Sequence, residues 1–195
     1  ENVLATAQEP LSSRKVAFLL QTPQQDGGQW DMIVSIFQKY GVVPKAVMPE
    51  SSNSSNSRDL NNYLNKKLRK DAGTLRQLVA DGQSEAAIQE AKEGMLQEIY
   101  NFLATSLGTP PETFDFEYRD EEKNYHIDRG LTPQTFYDKY VGVDLDDYVS
   151  IINAPTADKP YNKSYTVEML GNVVGGKEVK YLNVDMETFK KLAIA

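Results

Sequence analysis

The chain has 195 residues, 40% hydrophobic and 25% charged, enough for one good core or two modest ones in a soluble globular protein. Its 28 acidic residues outnumber 21 lysines and arginines, and the net charge of -7 argues against a dominant phosphate-binding surface or a nucleic-acid partner. Cysteine is absent and histidine occurs once, at His126, which excludes disulfides, thiolate nucleophiles, Cys-ligated metals and multi-His metal centres within the chain.

Residues 1–7 read as the tail of a helix that Pro10 ends. Ser12 or Ser13 can cap a second short helix containing Val16, Leu19 and Leu20. A loop over 22–28 ends in the pair Gly27-Gly28, and a helix over 30–40 follows, with Trp30, Ile33, Val34 and Phe37 on one face, expected to be buried, and Gly41 as its stop. The run 51–57, all Ser and Asn, reads as a polar solvated link. Next come two amphipathic helices over 58–108, joined by a turn at Asp81-Gly82 with Ser84 as the second cap, which makes an antiparallel hairpin. Lys66, Lys67, Arg69 and Lys70 lie here, read as a solvated face.

Pro110-Pro111 marks a change of layer. Phe114, Phe116 and Tyr118 alternate with charged residues, as do Tyr125 and Ile127 after the charged turn 120–123, so a β-hairpin is expected with His126 pointing away from Tyr125 and Ile127. Thr132-Pro133 starts a short helix over 135–140. Residues 148–152 read as a strand, 153–163 as a long loop, Tyr165, Val167 and Met169 as an alternating segment and 179–184 as a further strand. Asp185 caps a last helix over 186–195. Asp144, Asp146 and Asp147 are spaced like the start of a calcium loop but lack its glycine and terminal glutamate, so no metal site is expected there. No apolar run is long enough to span a bilayer, and the first residues lack a basic region followed by an apolar stretch, so neither a membrane partner nor a signal peptide is expected. The resulting fold class is α+β.

The segments Asp26-Gly27-Gly28-Gln29-Trp30-Asp31-Met32, Lys39-Tyr40-Gly41-Val42-Val43-Pro44-Lys45, Met48-Pro49-Glu50-Ser51 and Leu131-Thr132-Pro133 resemble the cysteine aminopeptidases. These are the bleomycin hydrolase or bacterial aminopeptidase C group of papain-like peptidases. The run from Ile152-Asn153-Ala154-Pro155-Thr156-Ala157-Asp158 through Lys159-Pro160-Tyr161-Asn162-Lys163, and Leu170-Gly171-Asn172-Val173-Val174-Gly175-Gly176, resemble the same family. The resemblance runs in order over essentially the whole chain. It implies a partial papain-like fold: 1–50 as the end of a helical lobe with a Gly-Gly groove edge, 51–110 as an inserted helical hairpin, and 111–195 as the start of an antiparallel β-rich lobe.

The same resemblance implies the middle of a cytoplasmic enzyme that removes N-terminal residues from peptides. Its nucleophilic Cys would lie upstream of Glu1 and its His and Asn downstream of Ala195, so no catalytic residue is assigned in this chain. In that family the second glycine of the pair binds the extended substrate through its backbone, a role that falls on Gly28, with Gly27 before it and Gln29 and Trp30 on the neighbouring wall. Members are typically hexameric, with a tail near the active site that limits cleavage to the peptide N-terminus. No cofactor is implied. Two other readings stay open: an autonomous helical and β protein-interaction module without enzymatic parentage, and a hydrolase using a serine with His126.

Overall fold

A computed structural model describes residues 1–194. In chain order the elements are α1 (Asn2–Ala5), α2 (Arg14–Gln21), α3 (Trp30–Tyr40), α4 (Ser52–Ser55), α5 (Arg58–Ala80), α6 (Glu85–Leu107), β1 (Phe114–Arg119), β2 (Tyr125–Leu131), α7 (Pro133–Phe136), β3 (Ile151–Ile152), β4 (Lys163–Thr166), β5 (Lys180–Asn183) and α8 (Met186–Ile194). They form two compact units: Glu1–Gly27 with Pro44–Pro111, and Gly28–Val43 with Glu112–Ala195. Position 195 itself, the expected end of the last helix, lies outside the described residues. The α+β class is as expected from the sequence.

The first unit is helical. Leu60, Leu64, Asp71, Ala72 and Leu75 form the buried stripe of α5, at the spacing of one helix face. Gly73 does not interrupt this helix, whose backbone is continuous through it. α6 packs on α5 with half-buried Ala87, Ile88, Met95, Ile99 and Phe102, and the Phe102 ring lies 4.3 Å from that of Tyr63. Ser84 caps α6 by accepting from the Ala87 amide at 3.2 Å. Lys67, only 11% exposed, bridges the two helices through Asp71 at 2.7 Å and Glu98 at 2.8 Å. Arg76 of α5 donates to the carbonyls of Thr6 and Glu9, tying α5 to the chain that follows α1, which ends at Ala5, earlier than Pro10.

Two local readings are corrected here. Ser13 begins α2 but its hydroxyl donates to Glu9 at 2.7 Å instead of capping the helix. The Ser/Asn run is largely exposed, as expected, but folded rather than irregular: Ser51 caps α4, and Ser51 and Asn53 both donate to the Ser106 carbonyl, at 3.0 and 3.2 Å, near the end of α6. Short polar side chains that compete for backbone groups in a disordered chain also make good caps, and composition does not separate the two uses.

The second unit combines α3, an aromatic hairpin and a small sheet. β1 and β2 pair antiparallel with a bulge at Asp115, whose carboxylate accepts from the Gly130 amide at 2.9 Å and from Arg129 at 3.0 Å. Phe114, Phe116 and Tyr118 pack with Phe136 and Tyr140, the latter on the wide π-type turn (137–141) that continues α7. β5 lies between β3 and β4, pairing antiparallel with β4 but parallel with β3, so this sheet is mixed where an antiparallel one was expected. Strand β3 is also shorter than 148–152. Asp185 caps α8 as expected, accepting from the Thr188 amide at 2.9 Å and its hydroxyl at 2.7 Å.

In α3 the buried side is not the apolar one. Val34 is fully buried, yet its companions on the inner face are Asp31 and Ser35, both 4% exposed. Trp30 and Ile33 are 40% and 43% exposed, with Ile36 and Tyr40 also open and Phe37 half-buried. The polar stripe is occupied by the segment before β5, which runs antiparallel to the helix. Lys39 donates to the Val174 carbonyl at 3.3 Å, Ser35 accepts from the Lys177 amide at 2.9 Å, and Asp31 accepts from the Lys180 amide at 2.8 Å. Gly176 lies against Ser35 so closely that a Cβ would fall 2.8 Å from its hydroxyl.

Candidate substrate-binding site

The two glycines do not hold their positions for reasons of packing. Several other glycines do: Gly41 has φ +72°, and a Cβ there would sit 2.5 Å from the Gln134 nitrogen and closer still to the Pro133 carbonyl. Gly27 and Gly28 lie outside the positive-φ region. A Cβ on Gly27 would meet nothing within 4 Å, and one on Gly28 would meet only the Met32 sulfur, at 3.5 Å. Both are exposed, and neither makes a backbone hydrogen bond to any of the described residues. Exposed main-chain N–H and C=O groups without partners are what an extended peptide needs for strand-like pairing.

The chain crosses from the first unit to the second between Gly27 and Gly28. Before that point Asp26 is held by α5: its carboxylate accepts from Ser57 at 2.5 Å and from Asn61 at 2.7 Å. These hydrogen bonds, Ser57 first and Asn61 second, keep the carboxyl below the usual carboxylate range. After the crossing, Gln29 has an extended backbone and opens α3, its amide donating to the Met32 sulfur at 3.4 Å, a weak acceptor. Trp30 stands beside Tyr148, ring centroids 5.5 Å apart, and keeps an open face. Gln29 and Trp30 are both exposed.

His126 shares a hairpin face with the aromatic cluster. It stacks on Tyr118 at 5.0 Å, while its Nε2 meets Asp120 at 2.8 Å. It points away from Tyr125 and Ile127 as expected, and no serine hydroxyl is within hydrogen-bonding distance among the described residues. Asp144 accepts from the Asp146 amide, and Asp146 pairs with Lys177 at 2.8 Å and Gln38 at 3.2 Å, so these carboxylates are used in a turn and an ion pair. No cluster of three or more candidate metal ligands is formed among the described residues, and no helix there is long and apolar enough to cross a membrane.

Sequence reasoning missed the buried pair Asp31 and Ser35. Their signal was present as polar residues four apart in an otherwise apolar helix, with Lys39 four further on. It also missed the repeat Ser57, Asn61, Asn65 and Arg69, from the residue before α5 along the helix.

The model of the Peptidase C1-like family matches residues 1–195. The chain is 65% identical over its whole length to an Aminopeptidase C of Streptococcus thermophilus, covering 44% of that protein, and 52% identical to one of Listeria monocytogenes, covering 43%. A crystal structure of PepW from Lactobacillus rhamnosis HN001 superimposes with a TM-score of 0.96 at 69% identity, over 99% of this chain and 43% of that one. The chain thus spans less than half the length of these relatives. With a match over every residue and a near-coincident fold, the chain belongs to the Peptidase C1-like family of cysteine peptidases.

Proposed function

We propose that this chain is the middle portion of a cytoplasmic cysteine aminopeptidase, and that it contributes a substrate-groove edge at Gly27, Gly28, Gln29 and Trp30 but no catalytic group. The observation that carries the reading is the state of Gly28: exposed, free of main-chain hydrogen bonds, and glycine where the chain's own packing does not demand it. A peptide laid along it as an added strand uses its N–H and C=O, and the missing Cβ lets the two backbones approach. Thiolate attack and protonation of the leaving amine fall to a Cys before Glu1 and a His after Ala195. The segments 1–50, 51–110 and 111–195 then serve as the end of the helical lobe, an inserted hairpin and the start of the β-rich lobe. The parent is a homo-oligomer, a hexamer by the family resemblance. The match over all residues favours this reading over an autonomous interaction module.

The test is Gly28→Val in the full-length parent. Thiol alkylation by a small reagent should stay near normal, since the nucleophile is untouched. kcat/KM for peptides should fall at least about tenfold, equivalent to roughly 1.4 kcal/mol. Gly28 has no positive φ and a Cβ there meets only the flexible Met32 side chain, and a melting curve recorded beside the kinetics separates lost folding from lost binding. Unchanged peptide kinetics in this variant would remove Gly28 from the groove.

A further inference from the structure

Four polar side chains repeat at four-residue spacing from the residue before α5 along the helix: Ser57, Asn61, Asn65 and Arg69. One after another they grip the segment that leads to the glycine pair. Arg69 Nη1 donates to the Gln21 carbonyl at 3.1 Å. Asn65 clamps Gln24 from both sides, its Oδ1 accepting from the Gln24 amide at 3.0 Å and its Nδ2 donating to the Gln24 carbonyl at 2.9 Å. Asn61 and Ser57 both donate to the Asp26 carboxylate. The rungs also brace one another, Asn65 donating to the Asn61 carbonyl at 2.9 Å and Asn61 to the Ser57 hydroxyl at 3.2 Å. Two acceptors in this array, Gln24 Oε1 and Asn61 Oδ1, are buried without a partner among the described residues.

The grip ends abruptly. Asp26 is held by two hydrogen bonds, while Gly27 and Gly28 have none among the described residues. A glycine pair loses more conformational freedom on ordering than any other dipeptide. An edge that pairs with a peptide strand must be ordered at that moment unless its approach is already fixed. We propose that Asn61 and Asn65 are positioning residues: the α5 ladder fixes the segment 21–26 and so lowers the ordering cost of peptide binding at the glycine edge. This rests on the groove reading of Gly28.

The proposal has a kinetic signature. Ordering cost is shared by the ground state and the transition state, so losing the ladder weakens both equally and raises KM with kcat little changed. A merely structural defect would instead reduce the active fraction, lowering kcat at constant KM. The variant is Asn65→Leu in the full-length parent, which keeps the branched shape and removes all three hydrogen bonds of that side chain. KM for peptides should rise about tenfold with kcat within about twofold. Hydrogen exchange should accelerate in the peptide covering 21–28 and stay unchanged over 174–184. Should Asn65→Leu not fold, Asn61→Ala is measured with the same readouts. An unchanged KM, or a fall in kcat alone, overturns the proposal. Gly28→Val run in parallel separates the failures: if it impairs peptide turnover while the ladder variants leave KM intact, only the ladder fails, and if it too is silent, the groove reading fails with it.

Discussion

Replacing Gly41 by alanine tests how closely the end of α3 is fitted to α7. Gly41 has φ +72° and ψ -161°, a region open essentially to glycine alone, and holding alanine there costs about 1–3 kcal/mol. Its Cβ would sit 2.5 Å from the Gln134 nitrogen, whereas ordinary contact begins at 3.4 Å, so the start of α7 would have to retreat by about 0.9 Å or more. That movement breaks the 3.1 Å bond from the Val42 amide to the Pro133 carbonyl, about 1 kcal/mol, and repacking the contact adds about 1–3 kcal/mol. The sum, about 3–7 kcal/mol, is a large fraction of the stability of any small unit. Trp30 is the sole tryptophan and lies in the same helix, so its fluorescence during urea unfolding reports this unit. The midpoint should fall by about 1 M or more at a usual urea slope. A midpoint within about 0.3 M of the parent sequence would refute both the strain and the clash.

Gly94→Ala in α6, where a Cβ meets nothing within 4 Å and φ is not positive, should stabilise the helical unit by about 0.5–1 kcal/mol, measured by circular dichroism during urea unfolding. Lys67→Met should cost about 1–2 kcal/mol in the same assay, because it strands Asp71 at 9% exposure; the cost stays below that of a fully buried pair since Glu98 is 70% exposed. Burial alone would lower the Lys67 ammonium, but hydrogen bonds and charge from Asp71 and Glu98 more than reverse this, so it remains a cation throughout. The Asp128 site should impose two pH limits on the hairpin unit. Hydrogen bonds from Lys139 and Tyr140 lower the Asp128 carboxyl, so the stability it gives is present above its unfolded value near pH 4 and is lost as pH falls through the lower folded value. Tyr140 is raised, first by its hydrogen bond to Asp128, so its contribution is complete below its unfolded value near pH 10 and is lost as pH rises through the higher folded value. Tyr140→Phe should flatten the alkaline limb of a stability-against-pH curve; an unchanged limb would count against the assignment.

Helix positions were legible in the sequence because they follow from periodicity and punctuation. The α3 limits, the Asp81-Gly82 turn, the Ser84 cap and the Asp185 cap all came from neighbouring residues. What was not legible depended on distant ones. The reading of α3 assumed that apolar residues face inward, and it failed because the bare amides of Lys177 and Lys180 claim Asp31 and Ser35, which no local pattern announces. The Ser/Asn run failed for a similar reason, since its acceptor is the carbonyl of Ser106. Within the candidate site, the glycines were picked out by family resemblance, whereas their lack of packing need and of hydrogen bonds is a property of the fold. The parallel pairing of β3 with β5 was invisible because a two-residue strand has no period to read.

The strap over α3 also sets a schedule for synthesis. Ser35 waits 142 residues for Lys177, and Asp31 waits 149 for Lys180. At about 5–20 residues per second, the polar stripe of α3 stays without its partners for roughly 7–30 seconds after it leaves the ribosome. The segment Pro44–Pro111, which belongs to the other unit, emerges during this interval, and α5 and α6 can close on each other across a short turn before the strap exists. The chain order is thus nested, with an early-closing helical hairpin inserted in the sequence of a unit that can be finished only after Lys180 has emerged. A nascent chain stalled within this window carries an α3 that is wet on both faces, and that helix is the natural place for a holding chaperone to bind.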